Sequence, residues 1–433
     1  MEIKIVKWAA DKPSAIVTSF LKRPAFDPGA EIAAKATLDD IRLNGDVAVL
    51  KAVREFDGVS LNPAGMRVTL AELAEARELV DAPFRIAARE TYKRVTTFSR
   101  AGMKKDWKIF SPKGGELGEQ FVPLDRVGVY IPGGQAPLVS TVFMTVTLAR
   151  VAGVQEIVAC TPSDANGKVN PYILFALEMA GATEIYRVGG IQAIGMMAYG
   201  TKTVPRVQKI VGPGGAYVTA AKKLVYGEVA LDLVAGPSEI AILADDTAPA
   251  ECVAADLLSQ AEHGTGQEKA ILVTTSSALA TKVSEQLLAQ AELLSRKAAI
   301  HKVLEKGTLV VVVNTLDEGM DLCNQFAPEH FEILVREPRS WLRKVRTAGA
   351  VFFGMWTPES VGDFVAGPSH VLPTGGTATM FSGLTVDDFR RRTSFMAFTR
   401  ADLQETLPVI EAFGRVEGLD GHARAARIRF EVS

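Results

Sequence analysis

The sequence predicts an α/β protein that contains two doubly wound parallel sheets, a small N-terminal arm and a small helical C-terminal domain. Two series of alternating strand and helix patterns support this prediction, one from about residue 126 and one from about residue 239. Such alternation produces parallel sheets covered by helices on both faces. A weak internal echo, AGVQEIV at Ala152 and AGATEIY at Ala180, supports the repeating unit.

Composition excludes several classes of protein. The chain has 433 residues, of which 48% are hydrophobic and 23% are charged, with a net charge of −2. These values are typical of a globular protein with large cores, and without a long basic block neither nucleic acid nor a membrane surface is expected as a partner. The N-terminus lacks the apolar stretch of a signal peptide. Three widely spaced cysteines favour a reducing, cytoplasmic location without disulfides.

The segments before and after the two series are predicted to be mainly helical. A short arm, residues 1–28, precedes helices in which Thr69 and Glu72 have the spacing of a capping box and Pro83 begins a further helix. The last segment, from about residue 385, is rich in charge and is interrupted by Pro408.

Within the two series, apolar runs bounded by turn residues predict the strands, and longer amphipathic stretches predict the helices. We expect one long helix from about Ala278 to Lys306. Ligands of doubly wound sheets bind beyond the carboxyl ends of the strands, so functional side chains are expected there. The first-series strands are RVGVY, EIVACT, EIYRV and VQKIV; those of the second are EIAILAD, AILVTTS, LVVVVN, HFEILV and AVFFG.

No glycine fingerprint for a nucleotide is present. The chain has neither GxGxxG after a strand nor GxxxxGK[ST]. Composition and glycine pattern alone therefore do not suggest a nicotinamide cofactor.

The histidines carry the clearest chemical signal. The stretch LLSQAEHG places Gln260 and His263 three residues apart on one helix face, although such pairs are also common at ordinary polar helix ends. In APEHFEI, Glu329 and His330 are adjacent before a buried strand, and they either form an acid/base pair or belong to a surface loop.

Two further segments hold candidate ligands. Asp363 lies in a loop rich in Gly and Pro that also contains His370, and Glu417 and His422 lie in EGLDGHA. Considered alone, each segment would equally fit an ordinary turn without a functional role. Taken together, Gln, His, Asp and a second His form a set of nitrogen and oxygen ligands without sulfur, which suits Zn²⁺ or Mn²⁺.

In this order, the motifs resemble the histidinol dehydrogenase family over nearly the whole chain. The likeness runs through RVGVYIPGG, VGGIQAIG, KIVGPGG, AGPSE, LLSQAEHG, APEH, GDFVAGPSHVLPT, FSGLTVDDF and EGLDGHA. It implies a homodimer with intertwined subunits that oxidises L-histidinol to the aldehyde and then to L-histidine, using NAD twice. The fold would comprise two Rossmann-like units that lack the usual glycine fingerprint.

The resemblance also implies roles for individual residues. One Zn²⁺ per subunit would be bound by Gln260, His263, Asp363 and His422, and Glu329 and His330 would be the catalytic acid/base pair. Substrate would contact Ser238 and Glu417 as well as His330 and the four metal ligands. Tyr130, Gln192 and Gly215 would lie at the cofactor site, and the C-terminal segment would place Glu417 and His422 in the partner's site.

We predict domain boundaries from the same patterns. Residues 29–129 and 239–384 would form the first Rossmann-like domain, which carries the metal and acid/base residues. Residues 130–238 would form the second, on the cofactor side. Residues 385–433 would form the helical domain that reaches the partner.

The sequence departs from the family pattern at three places. Gly215 stands where the family has an Asn associated with the cofactor, Ser369 replaces the Asn of AGPNH, and Ser99-Arg100 replaces Phe-His. Cofactor affinity or specificity is therefore expected to differ.

Two alternative functions fit parts of the pattern. A related NAD dehydrogenase of another small alcohol, such as a sulfonated propanediol, would share the metal and Glu-His motifs. A zinc hydrolase or a non-catalytic metal protein would need only the ligands. EGLDGHA favours histidinol, since that motif suits the amino-alcohol end of the substrate.

Overall fold

A computed structural model describes residues 2–12, 14–23, 28–133, 137–233, 236–263 and 265–432. Gly134 and Gly264, which end two of the motifs above, lie outside these ranges. The described strands are β1 (Ile5–Lys7), β2 (Trp107–Phe110), β3 (Glu116–Pro123), β4 (Arg126–Tyr130), β5 (Glu156–Cys160), β6 (Glu184–Tyr186), β7 (Lys209–Val211), β8 (Ala230–Leu231), β9 (Glu239–Ala244), β10 (Lys269–Thr274), β11 (Thr308–Val312), β12 (His330–Leu334), β13 (Ala350–Phe353) and β14 (Arg390–Ala397).

Helices connect and cover these strands. They are α1 (Ala15–Leu21), α2 (Pro28–Asn44), α3 (Asp46–Ala52), α4 (Leu70–Leu79), α5 (Ala82–Gly102), α6 (Val139–Ala152), α7 (Pro171–Ala180), α8 (Gly190–Tyr199), α9 (Ala216–Val225), α10 (Ala250–Ala261), α11 (Ser277–Ala291), α12 (Lys297–Lys306), α13 (Leu316–Phe326), α14 (Glu359–Phe364), α15 (Arg400–Glu417) and α16 (Asp420–Arg427). In the described ranges, no helix is long and apolar enough to cross a membrane.

Two parallel sheets confirm the predicted fold class. One has the order β6-β5-β4-β7-β8, and the other has the order β1-β11-β10-β9-β12-β13. In both sheets the first strand of a series lies in the middle, the next two strands lie on one side of it and the later strands on the other. That is the doubly wound order, and its reversal point lies between β4 and β7 in one sheet and between β9 and β12 in the other.

Apolar composition explains why these sheets form cores. All residues of β4, β9 and β12 are buried, as expected for parallel strands with helices on both faces. The first strand of the chain, β1, pairs in parallel with β11, so part of the predicted N-terminal arm extends the six-stranded sheet.

The local helix signals near the N-terminus are confirmed. Thr69 and Glu72 form the capping box at the start of α4, and α2 ends at Asn44. The single long helix expected from Ala278 to Lys306 is wrong, because α11 ends at Ala291 and α12 begins at Lys297. The buried residues explain this break: Ala291 and Ile300 are nine residues apart. At about 100° per residue, one continuous helix would place them on opposite faces.

Contacts between Cα atoms divide the chain into two compact units. Unit 1 consists of Met1–Gly102 and Leu124–Phe389, and unit 2 consists of Met103–Pro123 and Arg390–Ser433. The domain boundaries predicted from the sequence remain a prediction. Within unit 1, α2 packs against α8 and α9 of the five-stranded sheet, so this helix belongs spatially with the first strand series.

Unit 2 contains the two C-terminal helices and a three-stranded antiparallel sheet of order β14-β3-β2. The sequence predicted a mainly helical end and missed β14. This strand pairs with β3, from Arg390 opposite Pro123 to Ala397 opposite Glu116. Because the two strands are far apart in the sequence, there is no short hairpin turn from which β14 could be predicted.

Candidate functional site

The predicted acid/base pair lies at the reversal point of the six-stranded sheet. His330 is the first residue of β12, and Glu329 precedes it, beside the first residue of β9, Glu239. Both are buried, with exposures of 6% for Glu329 and 2% for His330. This position is at the amino ends of the strands, as expected for a pair at the start of HFEILV, so the general expectation of sites beyond carboxyl ends is wrong for this cluster. The residues come from the loops that enter β9 and β12. They come also from the end of α10, the helix that leads from β9 back to this edge of the sheet.

Backbone groups of Glu239 orient both members of the pair. The N–H of Glu239 donates to Oε2 of Glu329 at 2.9 Å, and its carbonyl oxygen lies 3.2 Å from Nδ1 of His330. If Nδ1 carries the proton, His330 donates it to this carbonyl, and Nε2 is then left free to accept a proton. Within the described part of the chain, Nε2 has no hydrogen-bond partner.

Carboxylates surround Nε2 of His330. Asp363 Oδ1 lies 3.6 Å from it and Glu359 Oε1 lies 3.9 Å from it, and one oxygen or nitrogen of each of the three residues falls within 4.8 Å of the others. Glu359 also accepts a hydrogen bond of 2.7 Å from Ser259 on α10. This arrangement forms a compact cluster that could hold a cation.

The pKa values of Glu329, Glu359 and His330 are raised in this cluster, and that of Asp363 is lowered. Burial raises the pKa of Glu329 to about 8, and burial together with the charge of Asp363 raises the pKa of Glu359 to about 7. Burial opposes protonation of His330, but Glu329 and Asp363 outweigh it and raise its pKa to about 10. Although burial works against it, the nearby His330 and His370 hold the pKa of Asp363 well below its usual range.

The predicted metal ligands of unit 1 lie on elements that meet here. Asp363 belongs to α14 and contacts His370 as well, with 3.7 Å between Oδ1 and Nδ1. His263 follows α10, and its Nδ1 lies 3.0 Å from Oγ of Ser238, the predicted substrate contact. Desolvation lowers the pKa of His263, and the charge of Asp363 opposes this shift.

Gln260 provides a direct test of whether the residues fit a metal. Its side chain lies in the last turn of α10 and is completely buried, yet among the described residues neither its amide oxygen nor its amide nitrogen has a hydrogen-bond partner. A buried amide without partners is costly, and a cation bound to the oxygen would remove part of that cost. The residues therefore fit a metal bound by nitrogen and oxygen.

The remaining two predicted residues lie elsewhere in the chain. Glu417 ends α15 and His422 belongs to α16, so both are in unit 2, and both are exposed. The structure of one chain therefore leaves their predicted role in the partner's site as a prediction.

The predicted cofactor residues gather at the carboxyl edge of the five-stranded sheet. Tyr130 ends β4, and its hydroxyl accepts a hydrogen bond of 3.2 Å from the N–H of Gly190. Gln192 is buried in the first turn of α8 and donates to Asp57 at 3.1 Å. Gly215 lies at the N-terminus of α9, just beyond β7, so the group lies around the reversal point between β4 and β7.

Sequence reasoning missed three residues of the acidic site. Glu359 could have been found, because it lies four residues before Asp363 and therefore on the same face of a short helix. Glu332 could have been noticed as a charged residue in the apolar strand HFEIL, where it is completely buried and accepts from the N–H of Glu359. The role of Glu239 lies in its backbone, which no residue pattern reveals.

His370 was recognised only as part of a loop. Its Nε2 lies 3.2 Å from Oγ1 of Thr141 in the first turn of α6, the helix that follows β4. Through this contact the acidic cluster is connected with the carboxyl edge of the five-stranded sheet, where the predicted cofactor residues lie. The fold and site together indicate an α/β enzyme with a buried cluster of Glu, His and Asp side chains where two doubly wound sheets adjoin.

Comparisons with known proteins place this enzyme in a family. The family model described as histidinol dehydrogenase matches residues 24–430. Histidinol dehydrogenase from Heliobacterium mobile is 42% identical over 420 residues, covering 97% of this chain and 98% of the relative. The enzyme from Moorella thermoacetica is 46% identical over 391 residues, or 90% and 92% of the two chains.

Solved structures agree with these relatives. The crystal structure of histidinol dehydrogenase from Elizabethkingia anophelis has a TM-score of 0.94 and 33% identity, and the match covers 99% of this chain and 98% of that one. An acetylating aldehyde dehydrogenase from Geobacillus thermoglucosidasius, with 15% identity and a TM-score of 0.50, shares the fold alone. The chain belongs to the histidinol dehydrogenase family, and it is an NAD-dependent oxidoreductase.

The departure at Gly215 predicts a measurable effect on cofactor affinity. An added Cβ at this position meets nothing within 4 Å, and its φ of −66° suits any residue, so Gly215→Asn should fold normally. If the cofactor binds at the N-terminus of α9, the new amide should lower KM for NAD. Steady-state kinetics with varied NAD tests this, with Gly102→Asn, another position with free space and no positive φ, as a control away from the predicted site; an unchanged KM would argue against a contact at Gly215.

Proposed function

We propose that this enzyme oxidises L-histidinol to L-histidine through the aldehyde, in two successive NAD-dependent steps at one site that contains a zinc ion. The observation that carries the proposal is the buried Glu329–His330 pair beside Asp363, at 3.6 Å from His330, in a chain of this family. Two proton-accepting groups at one position suit a reaction with two proton-releasing stages.

Metal binding is proposed at Gln260, His263 and Asp363, with His422 of a second copy as the fourth ligand. The unpartnered amide of Gln260 and the surplus of buried carboxylates support a cation here. Zinc with open positions would anchor the amine and imidazole of the substrate and hold its carbinol carbon in place.

NAD is proposed to bind at the carboxyl edge of the five-stranded sheet, near Tyr130, Gln192 and Gly215. Two features support this: the edge is the reversal point of a doubly wound sheet, and α9 directs the N–H groups of its first turn there, which suits a pyrophosphate. Bound NAD would accept a hydride in each oxidation.

In the first stage, Nε2 of the neutral His330 ring takes the hydroxyl proton as the alcohol becomes an aldehyde. A cation bound beside Asp363 would favour this neutral form, because it would offset the carboxylate charge that raises the pKa of His330 to about 10. The carbonyl of Glu239 holds Nδ1, so the ring presents Nε2 to the substrate. In the second stage, Glu329 removes a proton from water as the water oxygen bonds to the aldehyde carbon, and the resulting hydrate is oxidised to the carboxylate. A buried site keeps the reactive aldehyde from solvent between the stages.

Shared active sites are proposed for a homodimer. Glu417 and His422 are exposed in unit 2, together with large apolar side chains such as Met396, Phe413 and Val416, whose exposures are 70%, 62% and 77%. Exposed apolar groups of this size favour burial against another chain.

A cytoplasmic location also stays a proposal, supported by three free cysteines.

Reaction stoichiometry tests the proposed function. Purified enzyme with zinc should form two NADH per L-histidinol, and chelation should abolish activity until zinc is restored. The control is a sulfonated propanediol, which should yield no NADH. NADH from the diol but not from L-histidinol would refute the proposal.

Glu329→Gln should damage aldehyde oxidation more than alcohol oxidation, because only the second stage needs a base for water. A general base contributes roughly 10²- to 10⁴-fold, so a loss of that size is expected with the aldehyde as substrate. Burial raises the pKa of Glu329 to about 8, and only its ionised form is a base. The wild-type rate of aldehyde oxidation should therefore rise with pH through about 8, and the variant should lack this rise. Glu285→Gln, at an exposed position, is the control; equal loss in both stages would contradict the assignment.

Mixed dimers test the shared site. The variants His422→Ala and Glu329→Gln should each form almost no L-histidine as homodimers. In a heterodimer, one of the two sites would combine an intact Glu329 with an intact His422 from the other chain, so activity should return. Purification with two different affinity tags gives the heterodimer, and its inactivity would show that His422 does not act in trans.

A further inference from the structure

The proposed acid/base pair contacts the backbone of Glu239, and the side chain of Glu239 takes part in a buried ion pair. Oε2 of Glu329 and Nδ1 of His330 both contact main-chain atoms of Glu239, at 2.9 Å and 3.2 Å. A rotation of either peptide unit at Glu239 would move these contacts. The direction of Nε2, the proposed proton acceptor, would change with them.

The side chain of Glu239 is fixed by Arg23, from the N-terminal part of the chain. Their closest atoms, Nη1 and Oε1, lie 2.8 Å apart, and the side chains are 6% and 3% exposed. Burial raises the pKa of Glu239 to about 7, and the charge of Arg23 limits that rise. Loss of Arg23 would leave a buried carboxylate without its cation, a state that favours movement or protonation.

Arg23 is itself held from two other directions. Its guanidinium stacks on the ring of Phe326 at 3.9 Å and donates a short hydrogen bond to the carbonyl of the same residue. Phe326 ends α13, three residues before Glu329. One planar group therefore connects the segments that enter β9 and β12, and a lysine cannot make this combination of stacking and divergent hydrogen bonds.

The segment that leads into Glu239 also carries a predicted substrate contact. The N–H of Gly236 donates to Oγ1 of Thr374, and Oγ of Ser238 lies 3.0 Å from Nδ1 of His263. Residues 236–239 are thus held by Thr374, by Arg23 and by the N–H of Lys269, which donates to the carbonyl of Ser238 at 3.1 Å. A shift at Glu239 would reach Ser238 in the adjacent peptide.

We propose that Arg23 is a positioning residue for the oxidation, acting through the buried side chain of Glu239 on the backbone groups that orient Glu329 and His330. Arg23 does not touch the reacting atoms. The proposal rests on the proposed function for the roles of Glu329 and His330, whereas the geometry of the pair is independent of the substrate.

Kinetics of Arg23→Met, Arg23→Lys and Glu239→Gln test the proposal. For Arg23→Met we expect kcat per folded enzyme to fall roughly 10- to 100-fold, the scale of a small misplacement of catalytic groups. Zinc content and KM for NAD should change little. Arg23→Lys should restore the charge but not the stacking and should recover kcat only in part, and Glu239→Gln should also lose kcat.

A matched control separates positioning from general stability. Arg126 and Glu184 form a comparably buried pair, at 2.6 Å, at the amino edge of the five-stranded sheet. Arg126→Met should lower Tm but leave kcat per folded enzyme unchanged. The proposal would be overturned if Arg23→Met and Arg126→Met had the same kcat at equal folded fraction.

Nuclear magnetic resonance gives a readout that needs no substrate. The chain has five histidines, so ¹⁵N labelling of histidine with a His330→Gln reference spectrum identifies the ring nitrogens of His330. Loss of the Nδ1–H hydrogen bond in Arg23→Met should change the ¹⁵N signals of the His330 ring. In Arg126→Met these signals should be the same as in the wild-type enzyme. Unchanged signals in Arg23→Met would refute the positioning role. If wild-type enzyme fails to oxidise L-histidinol, the proposed function fails, and this measurement still decides the role of Arg23.

Discussion

The organisation of the site depends on the burial of negative charge at the amino ends of β9 and β12. Glu239, Glu329 and Glu359 are all less than 9% exposed, and Asp363 lies beside them. Ionised carboxylates are stable in such a place only with cations or shared protons. Arg23 compensates Glu239, and His330 lies between Glu329 and Asp363. The unpartnered amide of Gln260 borders the same region and supports the proposal of a further cation.

The two sheets have the same strand order but use opposite edges. The five-stranded sheet presents its predicted cofactor residues at carboxyl ends, as doubly wound sheets usually do, whereas the six-stranded sheet presents its acid/base residues at amino ends. The hydrogen-bond contact between Thr141 and His370 shows that these edges adjoin within unit 1. Under the proposed function, one sheet would hold the electron acceptor and the other the proton acceptors.

Much of the fold was predictable, because its signals are local. Apolar runs gave the strands, and the Thr69–Glu72 spacing gave a helix start that the structure confirms. The break between α11 and α12 was missed because it depends on which core each helix faces, and β14 was missed because its partner strand is distant in sequence. At the site, Glu329 and His330 were found as adjacent residues of suitable chemistry. The functions proposed for Arg23 and Glu239 could not be found in this way, because they rest on a backbone contact and on an ion pair between distant segments.

Unit 2 is built from two segments that are far apart in the sequence, and this affects the order in which the parts of the protein fold during synthesis. Its sheet joins β14 to β3, and Arg390 donates to the carbonyl of Phe121 across 269 residues of chain. On the ribosome, β3 therefore gains its second partner strand only after the chain has been synthesised as far as β14. Both parallel sheets of unit 1 can be complete before then. If unit 2 meets a second chain as proposed, that surface would be completed after both of these cores, and association would follow the folding of each subunit.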